Sequence, residues 1–240
     1  MSNEIAILMA AGMGTRMRPV TDHIPKPLVK VKGVPMIETV IDGLMGRGID
    51  EIYVVTGYLG ECFDILTSKY PNITLVRNTE YETINNISSV KAVTSVLRGR
   101  DAFICEADLY VRDPSIFKAD LSGSCYYGKL VKGHSDDWVF EQDASGRITR
   151  VGKVGDDCYN MCGIAYFKEH EATVIADAID ERYLHPGYED LFWDDVVNDN
   201  LDKLPLTVHP VGDDQIVEID TVDELSAVDP DFEKYNKENL

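Results

Sequence analysis

Residues 7–31, ILMAAGMGTRMRPVTDHIPKPLVKV, join an apolar run to a glycine-containing loop and then to a proline-punctuated basic segment. The apolar residues 5–9 predict a buried strand, and two alanines lead from it into Gly12 and Gly14. Backbone N–H groups approach a phosphate closely only where side chains are small and positive φ is accessible. The stretch therefore predicts a strand that leads into a phosphate-binding loop.

Two cations follow this loop. The guanidinium of Arg16 can donate two hydrogen bonds to phosphate oxygens, and the ammonium of Lys26 can act as a point charge on the same anion. The loop lacks the Gly-Lys-Ser/Thr ending of a P-loop, and Met17 stands where a dinucleotide-binding loop has its third glycine. A P-loop ATPase and an NAD dehydrogenase are both disfavoured.

Composition limits the classes of partner. The net charge of −19 argues against binding to nucleic acid, whose phosphates attract basic surfaces. No apolar run approaches the ~20 residues of a membrane span, and the first residues lack the basic start of a signal peptide. The five cysteines include no C-x-x-C pair, so neither a disulfide framework nor a zinc site is indicated. We expect small-molecule substrates, no membrane partner and a cytoplasmic location.

The first half of the chain alternates helical and strand patterns. The strand at residues 5–9 is followed by a helix over 36–48, a strand over 51–56, a helix over 59–70, a strand over 73–77, a helix over 86–97 and a strand over 101–106. This alternation builds a parallel sheet with helices on both faces. Residues 1–110 are predicted to be the nucleotide-binding half.

Shorter strands separated by turn-forming residues dominate the second half. We expect strands over 123–130, 137–141, 147–151, 161–167 and 207–210, helices over 169–183, 189–201 and 221–228, and an acidic tail at 229–234. The prediction is an α/β protein: one domain, 1–240, with a Rossmann-like doubly wound mixed sheet. Residues 111–240 form its antiparallel acceptor-binding extension.

Three carboxylates are candidates for a magnesium site. Asp108 follows the strand at 101–106, and ligands of parallel sheets bind at the carboxyl ends of strands. Glu218 and Asp220 lie two residues apart on an extended segment, so their side chains point the same way. Together they could supply the oxygen ligands that Mg²⁺ prefers. The alternatives are an aspartate that caps a turn and a solvated edge strand.

The loop pattern G-x-G-T-R-x-R-P followed by P-K-P-L-V resembles the signature of nucleotidyltransferases that couple an NTP to a sugar phosphate or phospho-alcohol. The whole chain is similar to the small LicC-type bacterial CTP:phosphocholine cytidylyltransferases. The matching residues are this loop, Asn85 and Asn86, Ala107 and Asp108, Asp137 and Trp138, and residues 190–194 and 218–222.

The resemblance implies a fold of the nucleotide-diphospho-sugar transferase type, with Mg²⁺ held by Asp108, Glu218 and Asp220. It also implies a preference for CTP. The predicted nucleotide-binding residues are Met9, Ala10, Ala11, Gly12, Met13, Gly14, Thr15, Arg16, Lys26, Asn86 and Ala107. The predicted catalytic residues are Arg16, Lys26 and Asp108.

The resemblance further places the trimethylammonium group of the acceptor among Trp138, Phe192 and Asp194. Phe192 stands where the family pattern has a tyrosine, and serines replace aromatic residues at 88 and 89. Trp138 and Trp193 are the only tryptophans, each beside carboxylates, and aromatic faces bind quaternary ammonium groups. Trp193 therefore joins the predicted acceptor site, although one of the adjacent Phe192 and Trp193 could belong to a helix core.

This reading predicts transfer of a cytidylyl group from CTP to phosphocholine, giving CDP-choline and pyrophosphate by in-line attack on the α-phosphorus. A cytidylyltransferase for 2-aminoethylphosphonate or another phosphonate is an alternative, in which Asp194 could bind a primary ammonium. A sugar-1-phosphate nucleotidyltransferase and a nucleotide-binding regulatory protein without turnover are further alternatives. The sequence leaves the oligomeric state open.

Overall fold

The computed structural model describes residues 3–236, so residues 1, 2 and 237–240 of the predicted 1–240 domain lie outside the described residues. The strands are β1 Glu4–Ala10, β2 Lys30–Val31, β3 Val34–Pro35, β4 Ile52–Thr56, β5 Ile73–Arg77, β6 Asp101–Glu106, β7 Leu109–Val111, β8 Cys125–Leu130, β9 His134–Gln142, β10 Ile148–Asp156, β11 Tyr159–Phe167, β12 Thr207–Pro210 and β13 Ile216–Glu218. The α-helices are α1 Met36–Arg47, α2 Asp64–Lys69, α3 Ile87–Lys91, α4 Thr94–Leu97, α5 Glu169–Arg182, α6 Trp193–Asn198, α7 Val222–Val228 and α8 Phe232–Tyr235.

A nine-stranded mixed sheet organises the fold, with the path β10-β9-β11-β6-β1-β4-β5. Strand β1 pairs in parallel with both β4 and β6, and β5 extends this parallel part. Strand β11 then pairs antiparallel with β6 and carries β8 and β9. The predicted mixed α/β fold with an antiparallel extension is confirmed.

Successive residues of β1 face opposite sides of the sheet. Ile5 and Ile7 pack in a cluster with the buried face of α5, whereas Ala6 and Leu8 pack in a second cluster with α1. Burial on both faces explains why this strand is an uninterrupted apolar run. The loop that follows Ala10 therefore begins at the carboxyl edge of a rigid central strand.

The prediction of an acidic tail over 229–234 is wrong. This segment leads into helix α8 and packs against residues that follow the glycine loop. Phe232 is buried in a cluster with Met17 and Val20. Asn236 accepts a hydrogen bond from the Lys30 backbone N–H at 3.0 Å and donates one to the Lys30 carbonyl at 2.9 Å. The acidic composition of residues 229–234 gave no indication that Phe232 is buried.

Three predicted helices are shorter than expected. The helix at 59–70 is α-helical only from Asp64 to Lys69, after a 3-10 turn over Gly60–Phe63. The helix at 189–201 begins only at Trp193, because Phe192 is extended (ψ 152) and the Asp195 carboxylate accepts its backbone N–H at 2.8 Å. The helix at 86–97 is divided into α3 and α4. No helix within residues 3–236 is both long enough and apolar enough to cross a membrane.

Candidate active site

The glycine loop adopts a conformation that requires glycine at one position. Gly14 has a φ of 58°, and a Cβ built there would lie 2.9 Å from the Cβ of Lys26. The Thr21 hydroxyl donates to the Gly14 carbonyl at 2.8 Å and holds the loop in place. Any side chain at residue 14 would be strained and would also press against Lys26.

A cleft of about 340 Å³ opens between this loop and the ends of the central strands. Most of the predicted nucleotide-binding residues line it: Met9, Ala10, Ala11, Gly12, Gly14, Thr15, Arg16, Lys26 and Asn86. Met13 instead points to solvent, and Ala107 is fully buried, where its N–H donates to the Met9 carbonyl at 3.2 Å. Neither of these two residues lines the cleft.

Lys26 is the buried cation at the centre of the cleft. Its ammonium lies 2.6 Å from a carboxylate oxygen of Asp108 and 2.6 Å from one of Asp220. Burial lowers the pKa of Lys26, but the two carboxylates outweigh this effect and raise the pKa above its ordinary value. The exposed guanidinium of Arg16 lies 2.9 Å from the other oxygen of Asp220. The three predicted catalytic residues therefore meet in one ion-paired cluster.

The predicted magnesium ligands also converge here. Glu218 lines the same cleft as Asp108 and Asp220, and desolvation of its carboxylate within the cleft together with these two carboxylates raises its pKa to about 7. Among the described residues no three acidic, histidine or cysteine side chains already surround a metal position; the Lys26 ammonium instead bridges the two aspartates. Three crowded oxygen donors with excess negative charge fit Mg²⁺ in chemistry and charge.

Trp138 and Phe192 form the aromatic pair expected from the sequence. Their ring centroids are 5.2 Å apart in an edge-to-face arrangement. The ammonium of Lys153 already covers both rings, at 4.9 Å from the Phe192 centroid and 5.6 Å from the Trp138 centroid. The aromatic pair therefore already contacts a cation, which is the ammonium of the protein's own Lys153.

Trp193 and Asp194 do not face the cleft as predicted. Trp193 is 3% exposed and stacks on Tyr126 at 5.9 Å, so it is the core member of the adjacent aromatic residues. Asp194 is 4% exposed and accepts the Tyr126 hydroxyl at 2.9 Å. Burial, reinforced by Asp195, raises the pKa of Asp194 to about 7. The cavity beside it is about 10 Å³, about the space of one water molecule.

Three residues of the cleft were not predicted: Pro27, Ser89 and Glu106. Burial, together with Asp108 and Glu218, raises the pKa of Glu106 well above its ordinary value. The sequence could have indicated Glu106 as a site residue, because it is a charged residue at the end of an otherwise apolar strand. Ser89 is held by the buried Asn78, whose amide donates to its hydroxyl at 3.2 Å. No sequence pattern indicated that contact.

Comparisons with known proteins identify the family of the chain. Residues 5–123 match the model of the family described as "Nucleotidyl transferase". Over 224 residues the chain is 51% identical to the 2-aminoethylphosphonate cytidylyltransferase of Lancefieldella rimae, covering 93% of this chain and 91% of that protein. The chain belongs to the nucleotidyl transferase family. The nucleotidyltransferase predicted from the loop is therefore confirmed as an enzyme class.

Two further comparisons concern the LicC-type relatives. This nucleotidyltransferase is 31% identical to the choline-phosphate cytidylyltransferase of Streptococcus pneumoniae over 230 residues, covering 93% of this chain and 96% of that protein. The solved structure of the CTP:phosphocholine cytidylyltransferase LicC from Streptococcus pneumoniae superimposes with a TM-score of 0.87, covering 95% of this chain and 98% of that chain. The fold is shared, whereas a LicC-type specificity stays a prediction.

Proposed function

We propose that this nucleotidyltransferase transfers the cytidylyl group of CTP to 2-aminoethylphosphonate and releases pyrophosphate. The observation that carries the proposal is the 51% identity to a 2-aminoethylphosphonate cytidylyltransferase across nearly the whole of both chains, against 31% for a choline-phosphate enzyme. 2-Aminoethylphosphonate, the alternative acceptor, therefore has more support than phosphocholine, the acceptor predicted first.

The acceptor region supports the same choice. A trimethylammonium group needs open aromatic faces. Of the predicted aromatic residues, Trp193 lies in the core, while the rings of Trp138 and Phe192 are covered by the Lys153 ammonium. A primary ammonium instead needs hydrogen-bond acceptors and negative charge, and the second half of the chain provides both.

The chemistry proceeds by in-line displacement. An anionic oxygen of the phosphonate attacks the α-phosphorus of CTP, a new P–O bond forms, and the bond to the pyrophosphate oxygen breaks. No general base is needed because the nucleophile is already anionic. Lys26 and Arg16, which line the cleft beside the loop, would neutralise the charge that develops on the phosphates. Residues 1–110 would supply the nucleotide site and residues 111–240 the acceptor site.

We propose Mg²⁺ as the cofactor, held by Asp108, Glu218 and Asp220. When bound, it supplies positive charge to the phosphates of the nucleotide. The buried Lys26 keeps two of these carboxylates paired and oriented toward the cleft. A cytoplasmic location also stays a prediction.

Phosphocholine is a second candidate acceptor, since the Trp138 and Phe192 pair does attract a cation. It would become the substrate if Lys153 moved aside.

The test is pyrophosphate release with CTP, UTP, ATP and GTP, each paired with 2-aminoethylphosphonate, phosphocholine, phosphoethanolamine and glucose-1-phosphate. We expect the highest kcat/KM for CTP with 2-aminoethylphosphonate, and loss of activity when EDTA removes Mg²⁺. A preference for phosphocholine would replace the proposed acceptor. Turnover with glucose-1-phosphate alone would overturn the assignment.

A further inference from the structure

A second pocket lies beside the nucleotide cleft and shares Glu218 with it. Its volume is about 150 Å³, and strands of the antiparallel extension form much of its wall. The residues that matter for its chemistry are Leu109, Lys129, Asp137, Asn160, Ile216 and Glu218. A group bound here would be adjacent to the predicted catalytic residues but outside the nucleotide loop.

One polar atom of this pocket has no partner. The side-chain carbonyl oxygen of Asn160 is buried and accepts no hydrogen bond. The backbone of Asn160 is fixed on both sides, because β11 pairs it with Lys129 of β8 and with Val139 of β9. Buried acceptors are almost always satisfied in folded proteins, so an unsatisfied one at a pocket indicates a missing donor.

The charges around the pocket favour a cation. Asp137 and Glu218 each contribute a carboxylate. The one lysine of the wall, Lys129, is already engaged: its ammonium donates to the main-chain carbonyl of Ile216 and, at 3.4 Å, to that of Asp213. The apolar side chains of Leu109 and Ile216 provide a surface for methylene groups. Lys129 keeps its positive charge, so two carboxylates share this wall with one ammonium, one acceptor that has no partner and an apolar surface.

We infer that this pocket binds the primary ammonium group of the acceptor, with the Asn160 oxygen accepting one of its N–H groups and Asp137 supplying the opposite charge. The inference rests on the proposed function and names its specificity-determining residue. A trimethylammonium group has no N–H to donate and would leave the Asn160 oxygen buried and unsatisfied. Sites that hydrogen-bond a substrate N–H discriminate strongly against analogues that lack it.

Asn160→Leu tests the inference, because leucine is similar in size and has no acceptor. Asn72→Leu is the matched control, since Asn72 also has a buried side-chain oxygen without a partner but does not line the pocket. Steady-state constants are measured with CTP, 2-aminoethylphosphonate and its N,N,N-trimethyl analogue. For Asn160→Leu we expect the KM for 2-aminoethylphosphonate to rise about 10- to 100-fold, with the KM for CTP unchanged. The preference for the primary over the quaternary amine should fall with it.

The outcomes separate the two proposals. If the wild-type protein uses 2-aminoethylphosphonate and Asn160→Leu keeps the same preference for the primary amine, the pocket assignment is overturned and the proposed function stands. If the wild-type protein does not use 2-aminoethylphosphonate at all, both fail. Should Asn160→Leu not fold, Asp137→Asn on an exposed side chain serves instead. That variant should raise the KM for both amines, and an unchanged KM would overturn the inference.

Discussion

Replacing Asp194 with asparagine removes a buried titratable group and keeps its shape. Burial raises the pKa of Asp194 from 3.8 to about 7 in the folded protein. Between those two values the folded state retains a proton that the unfolded chain has lost. The free energy of unfolding must therefore fall as the pH rises through this range.

The size of the effect follows from the two pKa values. Raising the pH from 5.5 to 8 takes folded Asp194 from mostly protonated to mostly ionised, whereas the unfolded group is ionised throughout. This difference costs the wild-type protein about 2 kcal/mol of unfolding free energy that Asp194→Asn does not lose. Other titrating groups contribute to both proteins and largely cancel in the comparison.

The assay is urea unfolding of wild type and Asp194→Asn at both pH values, followed by circular dichroism. Asp190→Asn, on an exposed side chain four residues earlier, is the control and should follow the wild type. A difference of less than about 0.5 kcal/mol between wild type and Asp194→Asn would refute the burial argument. Because Asp194 does not face the cleft, the KM for the acceptor should also stay within about threefold; a larger rise would return Asp194 to the acceptor site.

Three further predictions concern the cleft. Lys26→Met should lower kcat about 100- to 1,000-fold in pyrophosphate release, because it removes the buried cation, while Lys30→Met on an exposed lysine should not; a loss below about tenfold would contradict this role. Glu218→Gln should raise the Mg²⁺ concentration for half-maximal rate roughly tenfold in a magnesium titration, and an unchanged requirement would remove Glu218 from the ligand set. Gly14→Ala should lower the unfolding free energy by about 1 kcal/mol or more, since residue 14 has positive φ. Gly123→Ala, whose Cβ would meet nothing within 4 Å, gives the reference for urea unfolding.

Much of the fold could be predicted because burial on both faces leaves a clear pattern. Strands β1 and β6 are nearly continuous apolar runs, and their ends locate the loop and Asp108. The pairing of β11 with β6 joins residues about 60 positions apart and has no local signal. The start of α6 depends on one side-chain contact, the Asp195 cap on Phe192, which helical periodicity does not reveal.

Site residues that lie where strand ends converge could be predicted from the sequence. The face of an element on which each side chain lies was harder to predict. Asp108 and Asp220 converge, as the prediction of a shared site required, but their ion pairs with Lys26 were not predicted. Which of Phe192 and Trp193 enters the core depends on Tyr126, a residue of a distant strand. The unpartnered oxygen of Asn160 likewise emerges only from three-dimensional packing.

The contact between Asn236 and Lys30 joins residues 206 positions apart and fastens the segment that follows the glycine loop. Helix α8 places Phe232 behind the same segment. During synthesis, the glycine loop therefore leaves the ribosome long before Phe232 and Asn236, which hold the segment that follows it. A nascent chain that has passed residue 31 already carries every glycine and cation of the loop. Its back is closed only when residue 236 has also been synthesised and has folded onto Lys30.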